Sequence, residues 1–141
     1  MMKRILIFMM LMIGWLGSGA AADELWVIVN SKNPISAMDK AEVSALYLGR
    51  YQAYRDGSFA LPLDQLADGD VRATFYQLLT GKSEVYINAY WARILFTGRA
   101  MPPRQLENDS AVLAIVQKNP SAIGYVSAGT KLTGVKVVLR L

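Results

Sequence analysis

The chain has 141 residues, 53% of them apolar, a formal charge of +4, and neither cysteine nor histidine. Without histidine the commonest general base and transition-metal ligand are missing, so Ser-His-Asp and Cys-His catalysis are excluded. Without cysteine no disulfide can hold the fold, and stability must rest on packing.

Lys3 and Arg4 precede an almost wholly apolar run from Ile5 to Leu16, and Ala20-Ala21-Ala22 gives a small-x-small cleavage pattern before Asp23. Residues 1–22 read as a cleavable secretory signal, followed by one domain over residues 23–141. The apolar run is shorter than the roughly 20 residues of a spanning helix, which weighs against an uncleaved anchor. No cysteine follows it to carry a lipoprotein anchor. The expected location is the periplasm. Loss of Lys3 and Arg4 leaves a net charge of +2 from the original +4. So small an excess implies no nucleic-acid partner.

Leu25 to Asn30, with Val27, Ile28 and Val29 together, reads as a buried strand. Ser31 to Pro34 is a loop. Asp39-Lys40-Ala41-Glu42 has capping-box spacing. Val43, Leu46 and Tyr47 then share a helical face that Gly49 ends. Arg55-Asp56-Gly57-Ser58 is a turn, and Phe59 to Leu63 is a short strand whose Pro62 suggests an edge or a strand end. After Asp68-Gly69-Asp70, a second helix carries Val71, Phe75, Leu78 and Leu79 and stops at Gly81. Ser83 caps a third, with Ile87, Trp91, Ile94 and Leu95 as its apolar stripe and Gly98 at its end. Met101 to Glu107 is irregular. Asp109 or Ser110 caps a fourth helix through Val112, Leu113, Ile115 and Val116. Ile123 to Val126 and Val135 to Leu139 are strands. The order β-α-β-α-α-α-β-β predicts an α/β layer fold.

Tyr47, Tyr51 and Tyr54 cluster beside Arg50 and Arg55, and Tyr and Arg are enriched where proteins bind one another. Tyr47 is expected to face the core. Arg50, Tyr51, Tyr54 and Arg55 therefore form a candidate partner surface. Arg99 and Arg104 flank Pro102-Pro103 and extend it as a basic rim, or lie on a solvated loop. No Gly-rich phosphate loop, metal cluster or paired-carboxylate site is present, and no cofactor is expected.

Tyr90-Trp91-Ala92-Arg93, Phe96-Thr97-Gly98, Pro102-Pro103 and the run from Asn119-Pro120 to Tyr125-Val126 follow an opening Val27-Ile28-Val29-Asn30-Ser31-Lys32-Asn33-Pro34. In that order they resemble the phosphate-type periplasmic solute-binding proteins of ABC importers. The resemblance spans Leu25 to Gly129. It implies a single lobe of a type 2 periplasmic-binding-protein-like fold, a mixed sheet flanked by helices. Full members close two lobes on an oxyanion, and this chain has length for one.

In that family an Arg and a Ser-Gly-Thr at a helix N-terminus hold the phosphate, where free amides and the helix dipole favour an anion. With Arg72 and Phe75 as anchor, Gln65 stands near the family's Arg, and Gly69, Asp70 and Val71 stand where Ser-Gly-Thr would be. Both hydroxyls are gone. Asp70 is expected to act as the helix cap, and Asp68 or Asp70 to pair with Arg72. The resemblance implies a ligand at the C-terminal edge of the strands, near Ser31, Asp64, Gln65 and Gly69 to Arg72. Two functions follow. One is an exported solute-binding-like protein with weak affinity for phosphate or another oxyanion. The other is a ligand-free periplasmic module that binds a membrane sensor, transporter or envelope protein. An enzyme is not expected.

Overall fold

The computed structural model describes residues 24–141. The expected signal segment lies outside the described residues. In chain order the elements are β1 (Leu25–Asn30), α1 (Lys40–Tyr47), β2 (Leu61–Gln65), α2 (Asp70–Thr80), α3 (Glu84–Thr97), β3 (Arg104–Leu106), α4 (Asp109–Lys118), β4 (Ala122–Ser127) and β5 (Val135–Arg140). One five-stranded sheet has the order β3-β2-β4-β1-β5. β2 runs parallel to β3 and β4, while β1 runs antiparallel to β4 and β5. The sheet is therefore mixed, with helices on both faces, as expected of an α/β lobe.

Side chains alternate across a strand, and here both faces are covered. Val27 and Val29 of β1, and Ile123 and Tyr125 of β4, join the larger core with Tyr47, Phe75, Tyr76, Ile87 and Trp91. Ile28 of β1, and Ala122 and Val126 of β4, join a second core with Leu63, Leu106, Val112 and Val116 of the α4 face. Burial on both faces explains why β1 reads as an unbroken apolar run. In the larger core the Phe75 ring lies flat on Tyr125, with centroids 3.7 Å apart. Tyr47 meets both rings edge-on.

Four of the expected helix boundaries hold. Asp39 and Glu42 form the reciprocal capping box of α1. Ser83 caps α3 by accepting the Tyr86 N–H. Gly81 and Gly98 end α2 and α3 in the left-handed conformation. Two caps differ. Gly69 is the N-cap of α2 and has no side chain to offer, so Asp70 is its first helical residue and not its cap. Asn108 caps α4 by accepting the Ala111 N–H, which leaves Asp109 in the first turn.

Pro62 marks a strand end and not an edge, as the second residue of β2. β2 lies inside the sheet, but its pairing with β3 begins only at Leu63, so the missing proline N–H breaks no bond of that ladder. The edge on that side is β3, three residues too short to show a period and expected to be irregular. Leu78 and Leu95, assigned to apolar stripes, are 37% and 49% exposed. Their helices bury only the stripe that touches the sheet and one another.

α4 sits directly on β4 at Gly124. A Cβ built there falls 2.4 Å from the Val112 Cγ1 and 3.4 Å from the Val116 Cγ2. β-Branched side chains in a helix have almost no alternative rotamer, so the contact cannot relax by rotation. Gly124→Ala is expected to cost about 1–3 kcal/mol by overpacking. Adding Val112→Ala should restore part of that loss. Thermal unfolding of the two variants checks both statements, and a single variant as stable as the parent would disprove the close approach.

Candidate functional site

β2 ends at the sheet's carboxyl edge on Asp64 and Gln65, beside the α2 N-terminus. Asp64 is 1% exposed and holds its side chain inside a ring of donors. Its Oδ1 accepts the Tyr125 hydroxyl at 2.5 Å and the Gln65 N–H at 2.8 Å. Its Oδ2 accepts the Tyr76 hydroxyl at 2.8 Å and the Arg72 Nε–H at 3.2 Å. A buried carboxylate persists only when paired and hydrogen-bonded, and this one is both.

Arg72 is equally enclosed. Its guanidinium also donates through one terminal nitrogen to the Asn88 Oδ1 at 2.9 Å and the Glu84 Oε1 at 3.2 Å. It lies over the Tyr76 ring, 5.0 Å from the centroid. Burial opposes the arginine charge, but the Asp64 carboxylate beside it prevails and raises its pKa. Arg72 thus faces two carboxylates of its own chain. Neither is the one expected from sequence, since Asp68 and Asp70 are exposed and form no ion pair with it.

Gln65, near the position of the family's arginine, is also internally bonded. Its Nε2 donates to the Asp109 Oδ1 at 2.8 Å and the Tyr125 carbonyl at 2.9 Å. Gly69, Asp70 and Val71 form the N-cap and first two positions of α2. Their amides have no side-chain cap, and two exposed aspartates flank them. Ser31 is not part of this group. β1 is antiparallel to β4, which is parallel to β2, so Ser31 lies at the opposite pole of the sheet.

The sequence did not single out Tyr76, Tyr125, Glu84 or Asn88. Arg72 and Tyr76 are four residues apart on one helix, a spacing that places them on one face. The other partners come from distant strands and helices, and no local pattern announces them. Among the described residues no group of three or more acids is placed to hold a metal ion, and no helix is long and apolar enough to cross a membrane.

The candidate partner surface is only partly formed. Tyr47 is buried as expected. Tyr54 is buried too, at 4% exposure, and its hydroxyl donates to the Ser121 carbonyl at 2.7 Å. The loop that carries it folds inward to close the sheet's end. Arg55 lies 3.7 Å from Glu42 and donates to the Ala37 carbonyl. Arg50 and Tyr51 remain exposed, the latter at 68%. They border a cleft of about 620 Å³ with Tyr90, Ile94 and Arg99. A second cleft, of about 520 Å³, shares Tyr51 and Arg99 and continues to Phe59, Leu95 and Met101.

No protein-family model matches the chain, and no curated protein does. Solved structures do. A putative phosphate ABC transporter substrate-binding protein from Clostridium perfringens, with bound phosphate, superimposes with a TM-score of 0.65 at 16% identity, over 82% of this chain and 44% of that one. An ABC-type phosphate transport receptor from Vibrio cholerae gives 0.65 at 19% identity, over 82% and 45%. PstS from Borrelia burgdorferi gives 0.62 at 13% identity, over 82% and 46%. The chain therefore spans less than half the length of the structures it matches, and it has the fold of one lobe of a phosphate-type substrate-binding protein.

Proposed function

We propose that this is an exported, single-lobe protein of solute-binding type that acts by docking on another protein of the periplasm or its membranes, without capturing an ion itself. The carrying observation is Arg72. This cation beside the end of β2 is buried and held by Asp64 and Glu84. Incoming phosphate would have to displace both carboxylates and leave the buried Asp64 charge unpaired. A one-lobe site would also leave half of the ion in water. Export is inferred from Lys3, Arg4, the apolar run and Ala20 to Ala22. Catalysis finds no support, because Asp64 is locked among donors and the chain has no histidine or cysteine.

Phosphate titration at constant ionic strength tests this reading. A ligand at 100 times its dissociation constant would stabilise the protein by about 2.7 kcal/mol. The expected result is no phosphate-selective rise in the unfolding midpoint. A selective rise would make the protein a one-lobe receptor.

One observation favours that second reading. Gly69 leaves the first amides of α2 without a side-chain partner, and such amides attract anions. Asp70→Ser removes a repelling charge there and adds a donor. Asp70 is a first-turn residue and not a cap, so the change should cost only the 0.3–1 kcal/mol or so of its interaction with the helix dipole. Measurable phosphate binding gained by that variant would support a residual anion site, whereas the docking reading expects none.

A further inference from the structure

The two clefts beside Tyr51 belong to a longer trough. A third cleft, of about 270 Å³, adjoins the 620 Å³ cleft through Leu48, Arg50 and Tyr90 and adds Lys40 and Lys82. Lys40, Arg50, Lys82 and Arg99 therefore stand along one continuous depression, all exposed. No carboxylate lines any of the three clefts. Among the described residues none of these four cations is in an ion pair. The cavity next to them, by contrast, contains Glu42, which Arg55 already engages.

The 520 Å³ cleft of the trough is mainly apolar. Tyr51, Phe59, Leu95 and Met101 are 68%, 59%, 49% and 76% exposed and line the 520 Å³ cleft. Its floor is fixed. Gly49 has φ +68°, and a Cβ there would lie 2.7 Å from the Trp91 ring and 3.2 Å from the Ala100 Cβ. The Tyr90 hydroxyl ties α3 to the Leu48 carbonyl at 2.7 Å. A preformed surface loses little entropy on binding. The trough also lies at the pole opposite Asp64 and the α2 N-terminus, since Leu61 and Pro62 at the start of β2 border it.

We propose that this trough binds an acidic peptide segment of a partner protein, with carboxylates on Arg50 and Arg99 and an apolar side chain in the cleft beside Tyr51. Unpaired cations of one sign around an apolar depression select a partner of opposite charge. Aromatic and arginine side chains at its centre are the usual anchors. Concavity favours inserted side chains over a flat lipid surface. The inference rests on the docking reading and gives it a place and a chemistry.

The test is selection of a displayed library of random short peptides on the purified protein, followed by affinity measurement against Arg50→Glu/Arg99→Glu. Both residues are exposed and outside the core, so the variant should keep the parent's circular dichroism and unfolding midpoint. Support requires enriched peptides that carry Asp or Glu with Leu, Phe or Trp and lose roughly ten-fold or more in affinity for the variant. Peptides that bind parent and variant equally would overturn the trough while the docking reading stands. No enrichment, or enrichment of peptides without acids, would also overturn it. Stronger capture of phosphatidylglycerol vesicles, lost in the same variant, would replace the peptide with a lipid surface. A phosphate-selective rise in stability would defeat the docking reading itself, whatever the peptides do.

Discussion

Asp64→Ala is expected to destabilise the protein by about 3–5 kcal/mol, the cost of leaving one buried charge without its partner. For a domain of this size that lowers the unfolding midpoint by roughly 10–25 °C. The variant removes the acceptor of Tyr125, Tyr76 and the Arg72 Nε–H together, and Arg72 keeps only Glu84 and Asn88 at the protein's edge. Arg72→Met should also destabilise, because it leaves Asp64 buried without its cation. The double variant should cost less than the two singles added, by the 0.5–3 kcal/mol or so that contacting residues share. Equilibrium unfolding of the three variants closes the cycle. A loss below about 1 kcal/mol in Asp64→Ala, the scale of an exposed pair, would mean that Asp64 is not a structural hub. The carboxyl edge of β2 would then be open to a ligand.

That ring of donors also marks what the sequence could and could not show. β1 and β4 are legible because both of their faces are covered, which leaves short, mostly apolar runs. The helices are legible because Asp39, Ser83, Gly81 and Gly98 are local signals with local geometry. Asp70 misleads for a related reason. Aspartate before a helix reads as a cap, yet glycine one residue earlier has the extended backbone, at φ −149° and ψ 179°. β3 is invisible because three residues carry no period. The clearest gap is the site itself. Asp64 and Arg72 are eight residues apart, across a strand end and a loop, and Tyr125 is 61 residues from Asp64. Their meeting is a property of strand order, which places β4 next to β2. The resemblance named Asp64, Gln65 and Gly69 to Arg72, which the fold gathers at one edge of the sheet, and Ser31, which it does not, but it did not reveal that Arg72 is held there by the chain's own acids. Tyr54 shows the converse. Beside Arg55 it looks like surface, and only the fold turns it inward onto Ser121.

Above pH 10 the protein should lose stability steeply and unfold in one alkaline transition. Tyr47, Tyr76 and Tyr125 all have pKa values raised far above the ordinary 10.0, first by burial and then by the negative field of Asp64. The sign follows from linkage. A raised value in the folded state means that folded tyrosines keep their protons while unfolded ones begin to lose them near pH 10. Their contribution is therefore complete below pH 10 and declines as pH rises beyond it. Burial raises the Tyr54 phenol as well. Each such group lowers stability by about 1.4 kcal/mol per pH unit, so the four together lower it by about 5.6 kcal/mol per unit. Against a total of about 5–15 kcal/mol for a small domain, unfolding falls within a few pH units. Tyrosinate absorbance from these buried residues should rise together with the loss of helical circular dichroism. In Tyr125→Phe the slope of stability against pH should drop by about one quarter, or about 1.4 kcal/mol per unit. Ionisation of the buried tyrosines at intact helicity would show that water reaches the Asp64 cluster in the folded state. The enclosed edge, with its arginine already paired, that argues against phosphate capture would then be an open one.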